Sequence, residues 1–370
     1  MKEPASIDKQ NGEQRAFVPT PRNLEAYVQG EKVRTIHYGL GAIGCGVVRA
    51  LLADPSVEIV GAIDPHPSKA GKDLGEVAGL GHPLGVQISY DADALLNDVY
   101  ADVVVHCTGS SLTEVFPQLV SLVSAEKSVV SSCEELSFPW IRYPEIAEKL
   151  DRRARERGVR ILGTGVNPGF VMDLLPLMAA TASRQVKSVR VTRVVDTSLR
   201  RIQLQQKTGA GLSVKGFEEG ARSGGIGHVG LRESAFMIAD TLGWRKLDEV
   251  IETLEPVTSK RRLRTEYFSV ERGHVAGLRQ SVRGILEDRE VVRLDLEMSL
   301  GATDPRDTIE IDGTPPVKLE IPGGLHGDEA TASIIANCVS YVARSREAGL
   351  LTMRDLPAAA YFTKPRSRES

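Results

Sequence analysis

From residue 33 onward, short apolar runs alternate with stretches whose apolar positions recur at helical spacing. Residues 33–38, 57–63, 86–90, 101–107, 128–133 and 159–163 read as strands, the third of them weak. The run A-D-V-V-V-H-C at 101–107 is apolar nearly throughout, as in a parallel strand covered on both faces. Between the first two strands, 42–53 sets Ile43, Val47, Val48, Leu51 and Leu52 on one helical face and stops at Asp54-Pro55. Ser111 is placed to cap a helix running to about residue 127, and 144–158 reads as a charged surface helix ended by Gly158. This alternation predicts an α/β architecture whose N-terminal part is an open, doubly wound parallel (Rossmann) sheet.

After residue 167 the rhythm changes. Residues 170–183 look helical and 186–196 alternate like a strand. Residues 209–230 hold eight glycines and show no clear element. A helix is expected at 231–242, long alternating strands over 247–320, and a last helix at 328–344 with Asp328 as its N-cap. The second part is therefore expected to be a C-terminal α+β domain around a mixed or antiparallel sheet. The expected division is an N-terminal arm at 1–31, a dinucleotide-binding domain at 32–168 and a substrate and dimerisation domain at 169–327.

Composition narrows the partners. Lys plus Arg is 46 against 49 Asp plus Glu, a net charge of −3, which gives no reason to expect nucleic acid or a membrane surface. No apolar run reaches 18 residues. The four cysteines (45, 107, 133, 338) are scattered, which argues against a disulfide framework or structural zinc. With a polar N-terminus, these features predict a cytoplasmic protein.

The strongest motif is Gly39-Leu40-Gly41-Ala42-Ile43-Gly44. Alone a G-x-G-x-x-G is weak, but this one follows a predicted strand and opens a predicted helix. Gly39 permits the tight turn, Gly41 close approach of backbone to a pyrophosphate, and Gly44 close helix–strand packing. Asp64, 20 residues after Gly44 at the end of the next strand, is placed to accept adenosine ribose hydroxyls. NAD is therefore expected, with NADP possible through the nearby His66, Ser68 and Lys69.

Ligands of such sheets lie at the carboxyl ends of the strands. Three loops qualify: 107–111, which begins with Cys107, Thr108 and Gly109 and should pass under the cofactor; 132–136; and 163–169, which contains Asn167. Glu134 and Glu135 follow a buried strand there, and burial makes a carboxylate a usable base. The bland reading is that one caps a helix and the other meets water. Cys133 offers a nucleophile for acylating aldehyde chemistry, or is simply a small buried residue. His228 and His326, in glycine-rich segments, are pocket candidates against a structural default. No clustered ligand set supports a metal.

Taken together, V-G-A-I-D, V-V-H-C-T-G-S, V-V-S-S-C-E-E-L, G-V-N-P-G-F-V-M-D, G-H-V-G-L-R-E-S and I-P-G-G-L-H-G-D-E-A-T resemble the 2,4-diaminopentanoate dehydrogenases and native NAD(P)-dependent amine dehydrogenases, over about 33–360. The wider architecture is similar to dihydrodipicolinate reductase. The resemblance implies reversible oxidative deamination of an amine or diamino acid to a ketone and ammonia, with Glu134 handling the amine. It implies a pocket including Asn167, Phe170, His228 and Thr331, to which the residue reading adds Glu135, and a C-terminal segment (328–362) returning to the nucleotide domain. A homodimer is expected. The stretch 201–207 lacks the histidine pair of dihydrodipicolinate reductase. Arg193, Arg200, Arg201, Lys207 and Lys215 are candidate anchors for a substrate carboxylate. The rival readings are an imine or carbonyl reductase, a Cys133-dependent acylating dehydrogenase and a non-catalytic NAD(H) sensor.

Overall fold

The structure, a computed structural model, describes residues 32–244 and 246–357. The N-terminal arm and the last residues of the C-terminal segment lie outside them. Two sheets organise the chain. The first has seven strands in the order β15-β6-β5-β4-β1-β2-β3, all paired in parallel. They are β1 (Val33–Tyr38), β2 (Val57–Ile63), β3 (Ile88–Ser89), β4 (Val103–His106), β5 (Ser128–Ser131), β6 (Arg160–Gly163) and β15 (Gly349–Leu351). Five helices connect the first six: α1 (Ala42–Leu51), α2 (Leu74–Val77), α3 (Ala92–Asp98), α4 (Leu112–Ser124) and α5 (Pro144–Arg157). The central strands bury every residue of β4 and β5, which is why those runs are apolar rather than alternating.

The second sheet has six strands in the order β14-β13-β7-β12-β11-β8. These are β7 (Arg184–Asp196), β8 (Glu249–Thr258), β11 (Val275–Leu286), β12 (Arg289–Ser299), β13 (Arg306–Thr314) and β14 (Val317–Pro322), with a short β9 (Leu263–Arg264) and β10 (Ser269–Val270) pair beside them. Only β7 and β12 pair in parallel, so the sheet is mixed. Helices α6 (Leu174–Ala180) and α9 (Leu231–Thr241) pack on it. The last helix, α10 (Gly327–Arg344), packs against α1 and the first sheet, and β15 then pairs with β6 at the edge of that sheet. No helix among the described residues is long and apolar enough to cross a membrane.

Four local expectations are corrected. Residues 209–230 contain helix α8 (Val214–Arg222), preceded by α7 (Ile202–Lys207), in a stretch read as lacking elements. Asp328 does not cap α10: His326 is the N-cap, accepting from the Glu329 amide at 3.4 Å, while Asp328 binds Arg200. Ser111 sits at the N-cap of α4 without bonding its amides; Glu135 accepts from Leu112 N instead. The helix expected at 170–183 starts only at Leu174, where Asp173 caps it.

Candidate active site

The strand order reverses between β1 and β4, which is where an open α/β sheet binds its ligand. Gly39 leaves β1 at φ +90°, and a Cβ there would lie 2.5 Å from the Cys107 carbonyl oxygen. A Cβ on Gly44 would lie 2.0 Å from the Gly39 carbonyl oxygen. Both positions are therefore glycine for close packing of the turn. Gly41 differs: a Cβ there would meet nothing within 4 Å. It stands at the N-cap of α1 with no side chain over the helix's free amides, an open cradle for an anion.

This turn is one wall of a cleft of about 390 Å³. Gly41, Ala42 and Ile43 line it, with Cys107, Thr108 and Gly109 after β4 and Glu134 after β5. The turn 164–168 after β6 adds Asn167, and α10 adds Thr331. The opposite wall comes from the second sheet and its insertions: Arg193, Val195, Leu204, Lys207, His228, Leu296 and Met298.

Glu134 opens a short 3₁₀ turn (Glu134–Leu136) directly after β5. Burial pushes its pKa above the usual carboxylate range, opposed by the Lys207 charge, the Ser110 hydroxyl and Arg201. Glu135 points the other way. Its Oε2 accepts from Leu112 N at 2.7 Å, and its Oε1 accepts from Tyr143 Oη at 2.9 Å and pairs with Arg142 at 3.0 Å. Glu135 is thus absent from the cleft wall, contrary to expectation; it caps α4 and anchors the turn that carries Glu134. Arg142 also reaches Glu233 of α9 at 3.5 Å, a carboxylate 1% exposed whose pKa burial pushes up to about 7.

Asn167 is 7% exposed, and neither its Oδ1 nor its Nδ2 has a partner among the described residues. A buried amide left unpaired is costly, and this one lines the cleft. Its turn is held by Asp173, which accepts from Gly169 N, Leu174 N and Ser234 Oγ, and by Thr331 Oγ1, which accepts from Val166 N at 3.2 Å. His228 is fixed by its backbone: its N–H donates to Gln280 Oε1 and its carbonyl accepts from Gln280 Nε2. Burial, then Lys207 and Arg193, lower the His228 pKa to about 3, so the imidazole is neutral at working pH.

Phe170 and His326 are not in the cleft wall. Phe170 packs on the core of the second sheet, and the His326 side chain is half exposed at the end of α10. Asp64 lies outside the wall too, buried at the end of β2. Cys133 is fully buried and donates to the Ser110 carbonyl; burial raises its pKa, so it is no thiolate nucleophile. Of the candidate anchors, Arg193 is committed to Asp307 and Leu325 O, Arg200 to Asp328, and Arg201 lies 3.5 Å from Asp328. Lys215 is exposed beside Glu219. Lys207 lines the cleft. The apolar wall of Val195, Leu204, Leu296 and Met298 is unannounced in the sequence, because strand residues facing a cleft look like strand residues facing a core. No group of three or more potential metal ligands occurs among the described residues.

A phosphate-binding turn on a doubly wound sheet, a second sheet closing over it and a desolvated glutamate between them define a nicotinamide-dependent oxidoreductase. Residues 170–368 match the family model of the 2,4-diaminopentanoate dehydrogenase C-terminal domain, and residues 34–132 that of the dihydrodipicolinate reductase N-terminus. The chain is 32% identical to 2,4-diaminopentanoate dehydrogenase of Acetoanaerobium sticklandii over 341 residues, 88% of this chain and 94% of that one. It is 26% identical to an amine dehydrogenase of Streptomyces virginiae over 170 residues, 45% and 47% of the two chains. The amine dehydrogenase structure from Mycobacterium smegmatis superposes with a TM-score of 0.80 at 25% identity, covering 89% of this chain and 97% of that one. The chain belongs to the 2,4-diaminopentanoate dehydrogenase family.

Proposed function

We propose that this chain catalyses the reversible, NAD(P)-linked oxidative deamination of an amine to a ketone, with Glu134 as its acid–base residue. The balanced reaction is amine + NAD(P)+ + water → ketone + ammonia + NAD(P)H + H+. One observation carries the reading. The cleft wall holds two carboxylates, Glu134 and Asp328, and Asp328 is engaged by Arg200 and Arg201. Glu134 is the carboxylate left for the substrate, and it is desolvated.

The residues present fit a dinucleotide. The α1 N-terminus over Gly41 would hold the pyrophosphate, with Gly39, Gly44, Ala42 and Ile43 shaping the turn. Cys107, Thr108 and Gly109 would pass beneath the ribose and nicotinamide, and the Asn167 amide suits the nicotinamide carboxamide. When bound, the nicotinamide ring supplies the hydride acceptor. The chain's own part is proton handling and orientation. An alkylammonium holds its proton to pH near 10 and is a poor hydride donor; Glu134 first pairs with it and then takes the proton. Once Glu134 has passed that proton to solvent as the released H+, its carboxylate would accept a proton from the water that adds to the iminium carbon. The neutral His228 adds no charge of its own beside Glu134, and Val195, Leu204, Leu296 and Met298 give the substrate an apolar wall. In this reading residues 32–168 hold the cofactor, 328–362 return to that domain, residues 169–327 cover the cofactor, and the second sheet forms the contact of a homodimer in the cytoplasm.

An amine panel with either dinucleotide tests the proposal. Glu134→Gln should retain dinucleotide binding and lose about 10³-fold in turnover. Full turnover in that variant would remove Glu134 from the mechanism.

A further inference from the structure

The end of β2 bears on which dinucleotide is bound. Asp64, the acidic residue expected to meet the adenosine ribose, is 6% exposed, and its carboxylate is already occupied. Oδ2 accepts from Leu40 N at 2.9 Å and from Lys69 Nζ at 2.8 Å, and Oδ1 accepts from His66 N at 3.0 Å. Through Leu40 it ties β2 to the phosphate-binding turn. Asp64 is therefore a structural tie first, and little of it is left to receive ribose hydroxyls.

What reaches solvent there is cationic and polar. The Lys69 side chain is 27% exposed above an Asp64 side chain that is 8% exposed. The exposed His66 and Ser68 stand beside it, joined Nδ1 to Oγ at 2.7 Å. An ammonium has three N–H donors, and Asp64 occupies one of them. A ribose 2′-hydroxyl asks for an acceptor, whereas a 2′-phosphate asks for a cation and hydrogen-bond donors. Asp64 and Lys69 cancel as charges, so the repulsion that a bare carboxylate would exert on a 2′-phosphate is absent.

We propose that this chain binds NADP(H) in preference to NAD(H), with Lys69 as the cation that receives the 2′-phosphate and Ser68 and His66 as its polar neighbours. The proposal concerns the dinucleotide alone and stands whichever substrate is oxidised; failure of the amine panel with both dinucleotides would count against the deamination reading and not against this one. The test is equilibrium binding of NADP+ and NAD+, by calorimetry, to the full chain and to Lys69→Met and Lys69→Arg. The wild type should bind NADP+ at least tenfold more tightly than NAD+. Lys69→Met should lose at least tenfold for NADP+ while NAD+ changes less than threefold, and Lys69→Arg should keep the preference. Parity or an NAD+ preference in the wild type would overturn the proposal. So would an equal loss for both dinucleotides in Lys69→Met, because that is the signature of a lysine that only braces Asp64.

Discussion

Glu134 and Glu135 are neighbours in one turn with opposite surroundings, and their chemistry follows from that. Glu135 has three donors and holds the turn still; Glu134 has a desolvated carboxyl in the cleft. The sequence places the pair after a buried strand but cannot say which member faces the cleft, because the direction is set by where α4, Tyr143 and Arg142 lie. Lys207 adds a further control. Its charge lowers a Glu134 pKa that burial has raised. Deamination needs Glu134 ionised, so its rate should rise with pH through that pKa. Lys207→Met removes the opposing charge, leaves the pKa higher still, and should move the acid limb of kcat/KM to higher pH. An unmoved limb would show that the Lys207 charge does not reach Glu134.

At the level of elements, the phosphate-binding turn was readable because its glycines answer to local geometry. Gly39→Ala places a Cβ 2.5 Å from a backbone oxygen at positive φ. It should cost about 1–3 kcal/mol of stability and weaken dinucleotide binding, measured by chemical denaturation and titration. Gly41→Ala meets open space and should cost less stability while still weakening binding. The helices α7 and α8 were not readable. I-Q-L-Q-Q-K carries too few apolar residues to show a face, and α8 contains Gly216 and Gly220. Gly220 is tolerated because Ile226 packs where its Cβ would be, 2.6 Å away, so tertiary contact overrides propensity there. Helix α9 carries its own titration. Glu233 has a folded pKa raised to about 7, so the stability it contributes is complete below its ordinary value of 4.5 and is lost as pH rises through 7. That loss is worth about 3 kcal/mol. Glu233→Gln should flatten the fall in unfolding free energy between about pH 4.5 and 7; an identical fall in the variant would place the titration elsewhere.

For the whole molecule, the parallel sheet was legible because β4 and β5 are buried on both faces and must be apolar along their length. The mixed second sheet was legible from its alternation. The cleft was legible on one side only. Its first wall follows the strand ends, which topology fixes. Its second wall joins Arg193, Lys207, His228, Leu296 and Met298, drawn together from separate strands, a helix and a loop by tertiary packing that no local pattern announces. The central claim is that this cleft exchanges a carbonyl oxygen for an amine nitrogen. The most direct measurement is NAD(P)H oxidation by a ketone with and without ¹⁵N-ammonium, with the product identified by mass. The account predicts labelled amine, formed only when ammonium is present and lost in Glu134→Gln. Alcohol formed at an undiminished rate without ammonium would contradict it.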